Sequence, residues 1–309
     1  INGGNGSDIL NGGTGSDIID GNEGYGIDIV SYAGSSAGVT VSLLTAIQSS
    51  GGDAQVDVLY NIEGILGSSF NDMLTGDADD NTLEGGGGGD IIDGGLGIDI
   101  VSYLNSASAV IVYLALSTYA GGDAQDDVLL SIENLTGSAF NDILTAFATN
   151  TTLNGGLGND ALYGGTGNDI LNGNEDNDTL DGGSGNDYLH GHNGNDVIYG
   201  GAGDDVLDGG NGNDILDDGS GNDKLLGGPG ADVFVIRKDS GSNDLIMNFS
   251  IGVIEAYGEH IKLLGFNNPV DFTHLAISQS GANTIITLEN SQTLILQNVL
   301  ATSLTAASF

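Results

Sequence analysis

The sequence predicts an all-β fold: a parallel solenoid of short coils, closed at its C-terminal end by a small antiparallel β cap. Three observations carry this. Asp160, Asp169, Asp178, Asp187, Asp196, Asp205, Asp214, Asp223 and Asp232 recur at a strict nine-residue interval. The residue two positions after each is apolar: Leu162, Leu171, Leu180, Leu189, Ile198, Leu207, Leu216, Leu225 and Phe234. Glycine contributes 55 of the 309 residues, without a collagen-like triplet period. A strand of three residues turns only its central side chain inward, so each apolar residue belongs to a narrow core and each Asp to the turn before it. No helix or ordinary strand needs a period of nine. A repeated coil does.

In chain order, the first motifs are Gly3 to Asn11 and Gly12 to Asp20, holding Asp8 and Asp17. Asp28 follows eleven residues after Asp17, with an insertion around Asn22 and Glu23. A second short run carries Asp72, Asn81, Asp90 and Asp99, where the neutral Asn81 predicts a weakened site. Over these motifs lies a longer repeat of about 70 residues. Asp28-Ile-Val-Ser-Tyr32 returns as Asp99-Ile-Val-Ser-Tyr103, and Gly51 to Gly76 returns as Gly121 to Ala146 with 17 of 26 positions identical. Val39, Val41 and Leu43 alternate as a half-buried strand should, as do Val110, Val112 and Leu114. Residues 31–70 and 104–140 are therefore expected to be wider coils of the same solenoid, a separately inserted domain being the alternative. Asp142 resumes the short motif, Thr151 stands at an Asp position, and the regular run continues to Val235. The expected organisation is a solenoid over 1–235, with nonapeptides at 3–30, 71–103 and 141–235, and a cap over 236–309. Candidate strands there are Asp244–Phe249, His260–Phe266, Thr284–Glu289 and Thr293–Val299, continuing from Val233–Ile236. Such a cap protects the open edge of a stack.

The motif Gly-Gly-x-Gly-Asn-Asp-x-Leu-x suits one chemistry. Its glycines admit left-handed backbone and let carbonyls converge. Its aspartate adds a carboxylate, and calcium takes 6–8 such hard oxygens. The candidate ligands are Asp8, Asp17, Asp28, Asp72, Asp90, Asp99, Asp142, Asp160, Asp169, Asp178, Asp187, Asp196, Asp205, Asp214, Asp223 and Asp232, with Ca2+ as the only cofactor expected. The balance of 43 Asp+Glu against 4 Lys+Arg gives a formal net charge of −39. That charge repels phosphates and anionic lipid, so nucleic acid is excluded as a partner. Stacked carboxylates repel one another as well, so the chain is expected to be disordered without cation and folded with it. There is no cysteine for disulfides or thiolate sites. No apolar stretch is long enough for a membrane span. Ile1 falls where the inward aliphatic of an earlier repeat would sit, which suggests a fragment of a longer chain.

The motif resembles the repeats-in-toxin (RTX) family of hemolysin-type proteins exported by type I secretion. The resemblance covers 3–30, 71–103 and 141–235, and extends to the tail from Gly230-Ala231-Asp232, including an ending at Leu304 to Phe309 like the family's export-signal region. It implies a right-handed parallel β-roll in which two nonapeptides make one turn and each ion lies between successive turns. Asp160, Asp178, Asp196, Asp214 and Asp232 would then form one ladder, and Asp169, Asp187, Asp205 and Asp223 the other. Neighbouring pairs give seven sites in this run, about +14 of divalent charge against −39, leaving about −25. Asn174, Asp176 and His192 replace glycines, and Asp218 replaces the first glycine of its motif.

The function expected is a calcium-binding module of a larger secreted bacterial protein, extracellular or on the cell surface, that meets the type I secretion machinery in transit and folds in calcium outside. Two alternatives stay open. One is a surface-layer or adhesin component, with self-assembly or cell-surface carbohydrate as partners. The other is the C-terminal part of a secreted protease, lipase or alginate epimerase whose active site lies upstream. No complete catalytic set is present. Gly34-Ser35-Ser36-Ala37-Gly38 has the spacing of a nucleophile elbow but lacks the following helix and a partner His. Gly85 to Gly89 lacks the Lys-Ser/Thr of a phosphate-binding loop. The four His make no zinc motif.

Overall fold

The computed structural model describes residues 1–22, 24, 26–46, 51–114, 118–146, 150–239, 242–249, 259–264, 275–288, 291–305 and 308–309. Glu23, Phe266 and Glu289, which the sequence reading places at an insertion and at strand ends, lie outside these residues. Among the described residues every extended element is a short strand, and the only helical elements are single 3-10 turns at Gly52–Ala54, Gly122–Ala124 and Ala301–Ser303. The chain divides into two compact units, Ile1–Ala146 and Phe147–Phe309.

In the second unit the coil repeats every eighteen residues, two nonapeptides per turn. On one face strands Thr152–Gly156, Ile170–Glu175, Tyr188–Asn193, Val206–Asn211 and Lys224–Leu226 pair in parallel, and their central residues Leu153, Leu171, Leu189, Leu207 and Leu225 stand in register. On the other face Ala161–Thr166, Thr179–Ser184, Val197–Ala202, Ile215–Asp217 and Val233–Arg237 do the same, aligning Leu162, Leu180, Ile198, Leu216 and Phe234. All ten aligned side chains are fully buried. This is a parallel β-roll, and the residues two after each Asp form its core.

The glycine period ends near Val235, but the coiling continues. Asn243–Ile246 pairs in parallel with Lys224–Leu226 and then with Thr293–Leu296, while His260–Leu264 pairs in parallel with Val233–Arg237. The antiparallel part of the tail is smaller than the sequence suggests. It comprises Ala276–Ser280, Asn283–Thr287 and Thr293–Leu296. A turn at Gly281 and Ala282 joins its first two strands, with Gly281 at φ 62°.

The first unit keeps the same cross-section with longer connections. Leu10, Val30, Ile65, Leu83, Val101 and Leu135 align along one face. On the opposite side Ile19 meets Leu59, Val41 meets Leu74, Ile92 and Leu129 in turn, and Val112 meets Leu144. The strands Thr40–Ser42 and Ile111–Tyr113, drawn from 31–70 and 104–140, pair in parallel with nonapeptide strands. In the one antiparallel pair among the described residues here, Ile111–Tyr113 faces Thr118–Ala120.

Candidate metal centres

Each turn of the roll delivers its Asp to the inside. Asp160, Asp169, Asp178, Asp187, Asp196, Asp205, Asp214, Asp223 and Asp232 are all at most 3% exposed. The Oδ1 of each later Asp accepts a hydrogen bond from the backbone N–H of the Asp eighteen residues before it. The contacts are Asp160 to Asp178, Asp169 to Asp187, Asp178 to Asp196, Asp187 to Asp205 and Asp205 to Asp223 at 2.8 Å, Asp196 to Asp214 at 2.9 Å and Asp214 to Asp232 at 3.0 Å. The pairs sort as the two ladders that the family resemblance implies.

The second oxygen is treated differently. The Oδ2 atoms of Asp169, Asp178, Asp187, Asp196, Asp205, Asp214, Asp223 and Asp232, and of Asp8, Asp17, Asp90 and Asp99, are buried without a hydrogen-bond partner. A buried carboxylate oxygen left unpaired is costly, and a file of them at matching places calls for cations. The first glycine of each motif makes room for that oxygen. At Gly164 an added Cβ would lie 2.5 Å from Asp169 Oδ2 and 2.8 Å from Gly182 O. The later glycines have left-handed φ, as Gly158 does at 106° and Gly167 at 122°. Asn174, Asp176 and His192 hold the same region at φ 81°, 72° and 73°, so the substituted turns keep the backbone path. Asn and His are among the non-glycine residues that accept it best.

Burial dominates the electrostatics. Desolvation pushes the carboxyl pKa of Asp169, Asp196 and Asp205 up to about 6, of Asp178 and Asp214 to about 7, and of Asp223 to about 8. Repulsion from a neighbouring carboxylate of the ladder adds to this for Asp169, Asp178, Asp205, Asp214 and Asp223. A hard divalent ion reverses both effects, because it favours the ionised form. Buried acids, orphaned oxygens and glycine-bounded turns together fit calcium, with a carboxylate from each of two successive turns.

The earlier aspartates fall into two groups. Asp8 N–H donates to Asp28 Oδ1 and Asp72 N–H to Asp90 Oδ1, at 2.9 and 2.8 Å. Asp17, Asp28, Asp90 and Asp99 donate to acids that no nonapeptide contains: Asp57 Oδ1, Glu63 Oε2, Asp127 Oδ1 and Glu133 Oε2, each at 2.9 Å. These four acids extend the ladders, and sequence reasoning missed them. The signal was present, since each stands two residues before a buried aliphatic (Leu59, Ile65, Leu129 and Leu135) as every motif Asp does. Asp57 and Asp127 also accept a hydrogen bond from the buried Tyr32 and Tyr103 hydroxyls.

Asp72 and Asp142 differ. Their Oδ2 accepts the N–H of Ser68 or Ser138 at 2.5 Å, and their Oδ1 accepts the Val39 or Val110 N–H at 2.7 Å. Protein donors thus occupy both oxygens. At Asn81 the amide oxygen accepts the Asp77 N–H at 2.7 Å. Ser35 Oγ, next to the elbow-like Ser36, donates to Ala37 O and accepts the Asp53 N–H, which is a turn-holding role. His190 and His192 stack at 3.4 Å between ring centroids. His274 lies outside the described residues.

The architecture is thus that of a β-roll built on calcium-type nonapeptide repeats. The chain belongs to the family of RTX calcium-binding nonapeptide repeats, whose model matches residues 1–27, 66–101, 131–162, 145–180, 154–189, 181–216 and 208–235. Among curated proteins none matches. Two solved structures are similar at low identity. One is a hyperactive, Ca2+-dependent, beta-helical antifreeze protein from an Antarctic bacterium, at 20% identity over 86% of this chain and 82% of that one, with a TM-score of 0.37. The other is the extracellular lipase LipA from Serratia marcescens, at 16% identity over 79% of this chain and 39% of the lipase, with a TM-score of 0.21. No helix among the described residues is long and apolar enough to cross a membrane.

Proposed function

We propose that this chain is a calcium-binding module of a larger secreted bacterial protein, which passes a type I exporter unfolded and folds on calcium outside the cell. One observation carries the reading: seven Asp pairs in register, the later member of each with its Oδ1 held by backbone and its Oδ2 buried and unpartnered. Without cation these carboxylates repel their neighbours along each ladder. With it, the binding energy adds to folding energy. Where calcium is scarce the chain stays threadable, and where it is abundant the chain closes.

The ligands in this reading are Asp8, Asp17, Asp28, Asp90, Asp99, Asp160, Asp169, Asp178, Asp187, Asp196, Asp205, Asp214, Asp223 and Asp232, joined by Asp57, Glu63, Asp127 and Glu133. Asp72 and Asp142 serve chiefly as acceptors for Ser68 and Ser138. Residues 1–235 form the calcium-binding segment and 236–309 close it. A calcium titration followed by far-UV circular dichroism tests this, with magnesium as control. β-structure should appear cooperatively with calcium and vanish in chelator. The same spectrum in chelator and in calcium would refute it.

A further inference from the structure

One acid cluster departs from the repeat. In the column of Gly164, Gly182 and Gly200, an added Cβ would lie 2.5, 2.5 and 2.7 Å from Oδ2 of Asp169, Asp187 and Asp205. The next member of that column, eighteen residues after Gly200, is Asp218. A carboxylate therefore stands where the repeat otherwise keeps space, facing Asp223. The following rung is irregular too. Asp223 N–H donates to Asp244 Oδ1 at 3.3 Å across 21 residues, instead of to an Asp eighteen residues on.

Asp218, Asp223 and Asp244 are each at most 1% exposed. One carboxylate oxygen from each lies within 4.8 Å of the other two. Few hydrogen bonds account for their oxygens. Asp218 Oδ1 accepts the Arg237 N–H at 2.9 Å, and Asp244 Oδ2 accepts Gln292 Nε2 at 3.2 Å and Ser242 Oγ at 3.4 Å. Asp223 Oδ1 accepts the Asp205 N–H, and its Oδ2 is buried with no partner. The Arg237 guanidinium, close in sequence, is instead clamped by both oxygens of Asp217. Among the described residues no salt bridge reaches any of the three.

We propose that Asp218, Asp223 and Asp244 form an additional cation site for one calcium-sized hard divalent ion, with three carboxylates as its protein charge. Two Ca–O bonds of about 2.3–2.6 Å span the separation of these oxygens, so one ion reaches all three. The site differs in kind from those of the ladder. It takes Asp218 from a glycine position and Asp244 from beyond the last nonapeptide. The ion therefore fastens strand Asn243–Ile246, and Gln292 behind it, to the last regular coils. The proposal rests on the calcium reading above only in that Asp223 also belongs to a ladder.

The test is calcium anomalous scattering from crystals of the wild-type chain grown in calcium, with titration calorimetry on Asp218→Asn and Asp218→Gly. A peak among the three carboxylates is expected, lost or at least tenfold weaker in calcium affinity in both variants. Asp218→Gly restores the motif glycine and so keeps the coil even if Asp218→Asn fails to fold. Filled ladder sites with no peak at the cluster would overturn the proposal and leave protons shared by the acids as the explanation. So would unchanged calcium count and affinity in Asp218→Gly. Empty ladder sites as well would instead refute the calcium reading itself.

Discussion

Asp196 shows at the level of one residue how far the ladder shares its ligands. Its N–H meets Asp214, and its own Oδ1 receives the N–H of Asp178, so it stands in two pairs. Asp196→Asn should lower the calcium count by two, where a terminal member such as Asp160 would remove one. Calorimetric stoichiometry distinguishes these, and a loss of one ion from each would contradict pairwise sharing. The adjoining core residue makes a separate prediction. Leu189 is fully buried between Leu171 and Leu207, and Leu189→Ala should cost about 2–5 kcal/mol in calcium. Chemical denaturation measures it. Asn81 offers the converse case. It donates its N–H to Asp99 Oδ1 at 2.8 Å as a ladder Asp would, but its side chain is neutral. Asn81→Asp should add a bound calcium, which equilibrium dialysis would detect.

At the level of elements, the regular strands were legible because two signals coincide at fixed spacing. A turn carboxylate and an inward aliphatic two residues later recur from Asp160 to Phe234, and the register of Leu162 with Leu180 follows once the family resemblance sets two motifs to a turn. The longer units were harder to read. Their ladder partners lie 34–40 residues apart, as Asp99 and Glu133 or Asp17 and Asp57 do, so there was no nine-residue period to count and no complete Gly-Gly-x-Gly run to mark Asp57, Glu63, Asp127 and Glu133. Ser68 and Ser138 hid a second difference. A hydroxyl in place of glycine looks conservative, yet together with its own N–H it supplies donors to Asp72 and Asp142. The tail misled by composition, since strands without glycine read as a separate antiparallel element. Asn243–Ile246 and His260–Leu264 are held in parallel by the coil edge beneath them, a tertiary constraint that no local pattern carries.

For the whole molecule, charge decides the pH response. The carboxyls raised to about 6 at Asp169, Asp196 and Asp205, about 7 at Asp178 and Asp214, and about 8 at Asp223 all hold protons more tightly folded than unfolded. In chelator, their stabilising share is complete below the ordinary carboxylate pKa of about 4 and is lost as pH rises toward about 8. In chelator, any β-structure held at low pH by the protonated acids should therefore fall away across that window, which far-UV circular dichroism follows. Saturating calcium should abolish the fall, and binding within the window should release protons, seen as a buffer-dependent heat. β-structure that grows with pH in chelator would be incompatible with buried acids of raised pKa.

The eighteen-residue register also behaves as a reading frame. Excising 160–177 removes one complete coil, and each residue beyond the cut meets a chemically equivalent neighbour: Leu180 finds a residue of Leu162's type, and Asp178 stands where Asp160 stood. Excising five residues instead throws every later Asp and Leu out of phase with its column until the run ends. Length in this unit is thus a free variable counted in coils, and lineages of such chains can lengthen or shorten by whole coils without redesigning a single contact.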